Sequence, residues 1–154
     1  DHRERDELRG GHNSMKKLIE LATLFVIGGA IYYGAEMLIR GSSHWSMAVA
    51  GGICFLAIGG INEILDYETS FLLQMLYGAI AVTATEFIFG CVLNLWLKLD
   101  IWDYSNLPGN ILGQICPQFT ILWFFVSGIG IVIDDLIRWK LFGEEKPHYK
   151  VFCR

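Results

Sequence analysis

Charge is scarce in this chain: Asp, Glu, Lys and Arg make up 18% of its 154 residues, against roughly 25% in an average soluble domain. The basic sign is the scarcer one, with 12 Lys and Arg against 16 Asp and Glu, and outside the two chain ends the basic residues never gather. That excludes nucleic acid as a partner, because phosphate binding needs a clustered basic face. The four cysteines, Cys54, Cys91, Cys116 and Cys153, have neither CxxC spacing nor a companion histidine cluster, which removes zinc ribbons and thioredoxin-like motifs. Cys54 and Cys91 lie in apolar stretches, where a small packing role suits them. HExxH, GxSxG, GxGxxG after a strand and the GxxxxGKS/T phosphate loop are also missing. Nucleotide hydrolysis within this chain is therefore not expected, and an enzyme reading shrinks to an intramembrane hydrolase or transferase assembled from a His and acids without a short motif. A non-enzyme is the expectation.

What is abundant is apolar: 53% of residues are hydrophobic, 14% aromatic, and the 17 glycines sit mostly inside apolar stretches. Four stretches reach the roughly 20 apolar residues that a helix needs to cross about 30 Å of hydrocarbon, namely 18–39, 45–65, 71–97 and 119–139. The expected fold is all-α, an integral membrane four-helix bundle over residues 15–140. Residues 1–14 read as a flexible polar arm or an appended remnant with no core of its own, and 141–154 as a tail. The third span is the longest and should tilt or project beyond the hydrocarbon. Lys16 and Lys17 before an apolar run have a signal peptide as a competing reading, but the span is long and lacks a small-residue cleavage site, so a retained helix is expected.

Ten of the 12 Lys and Arg fall on the side shared by the chain ends, and only Arg40 and Lys98 on the other. Positive residues in short flanks are held in the cytoplasm, so both termini, and the tail with them, are expected there, in a multi-pass protein of a bacterial cytoplasmic membrane. The long loop 98–118 is then external. Its turn formers, among them Pro108, Gly109, Gly113 and Pro117, alternate with Trp102, Tyr104, Leu107 and Ile111. That mixture suits either a segment folded back onto the helices at headgroup level or an ordered surface loop.

Acids within or at the ends of the spans carry the most information: Glu20, Glu36, Glu63, Glu86, Asp134 and Asp135. A charge at mid-bilayer costs about 2.5 to 3.5 kcal/mol on insertion scales, so such groups face a helix interface, a cavity or a partner. Glu86 lies near the middle of the third span, where no basic residue stands ready to neutralise it. Glu86, Gly90 and Asn94 recur every four residues and form one polar stripe. Comparable seams run through Gly29, Tyr33 and Glu36, through Gly52, Gly59 and Glu63, and through Ser127, Gly130 and Asp134. Two readings follow. The glycines permit tight packing and the acids, protonated, bond helix to helix, typically for about 0.6 to 2 kcal/mol per contact. Alternatively, Glu86 centres a water-accessible site for a cation, a proton or a small cationic solute, with Glu36, Glu63 and Asn94 as supporting ligands. Glu20 and Asp135, near span ends, are expected to snorkel into the interface. At the start of the second span, Ser42 or Ser43 caps the helix while Trp45 anchors it, or His44, Glu36 and Asp103 line a shared entrance.

The stretches GSSHWSMAVAGGICFLAIGGINE (41–63), QMLYGAIAVTATEFIFGCVLN (74–94) and WDYSNLPGNILGQICPQFTILW (102–123) resemble the small bacterial membrane proteins of the ABC-transporter type IV family. The resemblance runs from Met15 through Arg138 and is most specific in the third stretch. It implies a multi-spanning, transport-type membrane protein and supplies no catalytic residue. It adds Asn110 and Gln114 to the candidate ligands His44, Glu63, Glu86, Asn94 and Asp103. Because the chain has no nucleotide-binding motif, the resemblance also implies a separate ATPase. Other expected partners are membrane lipids, a second copy of the chain that would enlarge any passage, or another protein subunit. A non-transporting scaffold or accessory subunit, docking through the glycine seams and the tail LFGEEKPHYKVFCR, is the competing function. The residues specify neither a metal nor a cofactor.

Overall fold

The computed structural model describes residues 2–64 and 70–144, without the side chains at 39, 40, 62 and 63. The Glu63 and Asn62 side chains and the tail from residue 145 onward therefore lie outside the described residues. Within them the chain is all-helical: α1 (His2–Arg40), α2 (Trp45–Ile64), α3 (Phe71–Gly90) continued by a π-helical turn (Cys91–Trp96), and α4 (Pro117–Phe142). Three helices, α1, α3 with its π-helical turn, and α4, are long and apolar enough to cross a membrane, while α2 is a shorter apolar helix over its described part.

Local chemistry sets the helix ends. Gly41, at φ +75, takes the left-handed conformation that stops α1, and Pro117 opens α4, where its fixed φ and missing N–H cost nothing. Gly143, at φ +66, closes α4, and the Glu144 N–H returns to the Arg138 carbonyl at 3.1 Å, as in a Schellman-type stop. Residues 2–14, read from composition as a polar arm, extend α1 as a fully exposed helix. Gly10 and Gly11 there have nothing within 4 Å.

The helices alternate in direction. On α1 and α2, large groups of one helix sit on glycines of the other: Phe55 on Gly28, Tyr32 on Gly51, Phe25 on Gly52, and the Ala48 carbonyl on Gly29. Small residues allow this approach because dispersion between close backbones, rather than expulsion of water, drives helix association in lipid. On α3 and α4, Gly78 faces Ser127 and Gly128 faces Met75, while Gly59 of α2 lies against the Asp134 carboxylate of α4. Ile58, Met75, Val82 and Ile131 form the common core. Large apolar side chains such as Val26, Ile80, Ile88 and Ile121 cover the outside, an arrangement that soluble monomers rarely tolerate and that hydrocarbon favours.

One polar cluster ties α1 to α4 at the end away from the long loop. Arg138 donates from Nη1 to Glu20 and from Nε to Asp134, both at 3.0 Å. Glu20 is 3% exposed, Asp134 0%, Asp135 5% and Arg138 4%. The expectation that Glu20 and Asp135 snorkel into the interface is thus corrected: both are buried. For Glu20 the cause is Arg138, whose planar guanidinium serves it and Asp134 at once, and the Asp134–Arg138 spacing of four residues was the overlooked signal.

Candidate functional site

The polar stripe of α3 receives the long loop. Asn94, in the π-helical turn, donates from Nδ2 to Gln114 Oε1 at 2.8 Å and accepts the Ile101 N–H on Oδ1 at 2.7 Å. Trp102 donates its indole N–H to the Gln114 carbonyl at 3.1 Å, and Gln114 itself is buried. Gly90 lies beneath this junction, where an added Cβ would meet the Gln114 side chain and the Trp102 ring. Four residues earlier, Glu86 Oε2 accepts the Tyr104 hydroxyl at 3.3 Å. Each member of the Glu86, Gly90, Asn94 stripe therefore holds one part of the loop, which folds back onto the helices.

Within the loop, short-range bonds hold the shape. The Asp103 carboxylate accepts the Ser105 N–H at 2.9 Å and the Ser105 hydroxyl, bonds that hold this exposed carboxyl below the usual range. Asn110 donates to the Leu107 carbonyl at 2.8 Å and accepts the Gly113 N–H at 3.0 Å. Tyr104 stacks on Phe119 of α4 with ring centroids 4.6 Å apart and planes at 9°, which fixes the phenol over Glu86.

Below the loop, a cavity of about 210 Å³ opens between all four helices. Its walls are mostly apolar and aromatic: Tyr32 from α1, Phe55 from α2, Phe89 from α3, Trp123 from α4, and Trp102 of the loop above. Glu86 supplies the carboxylate, with Thr85 and Cys54 as lesser polar neighbours. Glu86 Oε1 and Trp123 Nε1 are both buried and lack a partner at hydrogen-bonding geometry, although the indole N–H stands close enough to act on the carboxylate. Tyr32 of the cavity wall and Glu36 stand four residues apart on α1, which sets them on one face of that helix.

The candidate ligands separate into three groups. Glu86 belongs to the cavity, while Glu36 lies one turn along α1 from the lining residue Tyr32 and outside the lining itself. Asn94, Gln114, Asn110 and Asp103 hold the loop together or bind it to α3. His44 accepts the Ser46 N–H on Nδ1 at 3.3 Å and shares a 2.6 Å bond with the Ser46 hydroxyl, so the histidine itself caps α2, in the place expected for Ser42 or Ser43. Tyr32 and Trp123 escaped the sequence reading, which took Tyr33 into the α1 seam, while Trp102 was read as a loop residue suited to the headgroup level. The i, i+4 relation of Tyr32 to Glu36 was the available signal. Among the described residues, no three His, Cys, Asp or Glu side chains gather as a metal-ligand set.

The model of a family described as "Putative ABC-transporter type IV" matches residues 24–145 of this chain, which takes in all four helices from Leu24 onward and the whole loop. No curated protein and no solved structure matches it.

Proposed function

The chain belongs to the Putative ABC-transporter type IV family, and from that premise we propose a small integral membrane transport-type protein whose intramembrane site, centred on Glu86, takes a cation, a proton or a small cationic solute. The observation that carries this reading is a carboxylate in the wall of a cavity shared by all four helices, with one oxygen lacking a hydrogen-bond partner. A structural glue acid in lipid is expected to spend both oxygens on neighbouring helices. Here only Oε2 has a donor at hydrogen-bonding geometry, the Tyr104 hydroxyl, while the nearby Trp123 indole N–H falls short of that geometry.

In this reading both termini are cytoplasmic and the loop is external, in a bacterial cytoplasmic membrane. Any ATP-driven step belongs to a separate subunit, since this chain lacks a phosphate-binding loop. The test is flux in vesicles reconstituted with the full chain, following protons, Na⁺ and K⁺ with indicator dyes. Glu86→Gln keeps the shape of the side chain and removes its charge. Wild-type flux that falls to the level of empty vesicles in the variant is the expected result. Equal flux in both proteins, or none in either, would sink the transport reading and favour an accessory subunit.

A further inference from the structure

We propose that the cavity beneath the loop binds a lipophilic organic monocation, an ammonium group carried on an apolar or aromatic body, which reaches it sideways from the membrane between α1 and α4. This names the solute class for the Glu86 site and rests on the proposed function above.

The chemistry of the lining selects among cations. Ca²⁺ needs six to eight oxygen ligands and Mg²⁺ near-ideal octahedral oxygen geometry, whereas the cavity presents one carboxylate, a threonine hydroxyl and a phenol amid carbon. Zinc is matched no better, given that no ligand set of three His, Cys, Asp or Glu forms among the described residues. An organic ammonium requires neither. Its charge is spread over alkyl groups, it is weakly hydrated, and it is held by aromatic faces together with one compensating anion. The walls offer that combination in Trp123, Trp102, Tyr32, Phe55 and Phe89 around Glu86.

Size and access agree. A dry cavity of about 150 Å³ accommodates benzene, so about 210 Å³ has room for a phenyl ring with a small ammonium head. The rim includes Ile31 of α1 and Ile129 of α4, 50% and 62% exposed, together with the exposed Ala35. These residues face outward, where lipid lies in a membrane, and α1 packs much less closely on α4 than on α2. The opening is therefore apolar and lateral, suited to a solute already dissolved in the bilayer.

The experiment uses purified full-length protein in lipid nanodiscs, titrated with phenyltrimethylammonium and, in parallel, with its neutral carbon isostere tert-butylbenzene, and read by calorimetry and tryptophan fluorescence. Saturable binding of the cation is expected, with the isostere at least about tenfold weaker, because one desolvated charge pair and aromatic contacts of roughly 1 to 2 kcal/mol separate the two. Glu86→Gln should bring the affinities together. Trp123→Leu should weaken the cation more than the isostere. Ala35→Phe, at an exposed position, should slow association without unfolding the protein, which keeps the proposal testable should either cavity variant misfold. Equal affinity of the wild type for cation and isostere would reduce the cavity to an acyl-chain slot, and absence of saturable cation binding would overturn the proposal. Glu86-dependent proton or metal-ion flux that phenyltrimethylammonium neither inhibits nor follows would overturn this solute class while leaving the proposed function standing. Loss of that flux dependence would remove both.

Discussion

Replacing Arg138 with methionine tests the reasoning about buried charge most directly. The guanidinium is 5% exposed in its side chain and bonds to Glu20, 4% exposed, and to Asp134, fully buried, at 3.0 Å each. At such exposure water screens little, so no discount for solvent applies. Removing one partner of a buried pair leaves the other as an uncompensated charge and costs about 3 to 5 kcal/mol. Here Asp134 loses its guanidinium and Glu20 keeps only the more distant Lys17 Nζ, at 3.9 Å, so the upper half of that range is the expectation. For a chain of this size each kcal/mol lowers the melting temperature by about 2 to 4 °C, giving a fall of roughly 8 to 20 °C. Thermal unfolding in a mild detergent, followed by tryptophan fluorescence or by loss of the monodisperse peak, measures it. Arg138→Lys retains the charge but not the fork that spans both acids and should fall in between. Combining Arg138→Met with Glu20→Gln and Asp134→Asn removes the stranded charges and should recover more than half of the loss. A single Arg138→Met variant melting within about 2 °C of wild type, or a triple variant no better than the single, would refute the account.

Three further outcomes follow from particular contacts. Gly29→Ala sets a methyl group against the Ala48 carbonyl and should destabilise by about 1 to 3 kcal/mol through overpacking, whereas Gly34→Ala, with nothing within 4 Å, should be neutral or stabilising by up to about 1 kcal/mol; thermal unfolding separates the two. Asn94→Ala removes two bonds that hold the loop and takes the donor from the buried Gln114 Oε1, whose Nε2 stays on the Leu112 carbonyl, so hydrogen exchange across residues 98–116 should accelerate by the equivalent of about 1 to 3 kcal/mol. Asp103 has its folded-state pKa lowered by the Ser105 hydroxyl and N–H. The order it lends the loop is therefore fully present above its ordinary value of 3.8 and is lost as pH falls through the lowered one; Ser105 amide protection in Asp103→Asn should lack that acid-side transition.

How much of the molecule was legible in advance depended on the range of the interaction. The starts of α2 at Trp45 and α3 at Phe71 coincide with the expected ones, because an apolar run and its turn residues are neighbours in the chain. The α3 stripe was legible for the same reason, since a four-residue spacing is local geometry. Its occupant was not: that the loop returns to lie on Glu86, Gly90 and Asn94 depends on Tyr104 and Gln114 bonding to a helix up to 20 residues away and on the Trp102 ring resting at Gly90. The snorkelling expected of Glu20 failed on a partner 118 residues distant.

The sequence by itself determined the class of protein, the helices, and the scarcity of charge that makes each acid meaningful, because hydropathy and turn chemistry act over a few residues. Only the packing of the helices decided that Glu20 reaches Arg138 from another helix, and that Glu86 borders a cavity while Asn94 holds a loop. Those outcomes depend on the rotation and approach of whole helices, set by where a ring or a carbonyl can rest on a glycine of its neighbour, and no periodicity within one helix encodes the face that another helix will present.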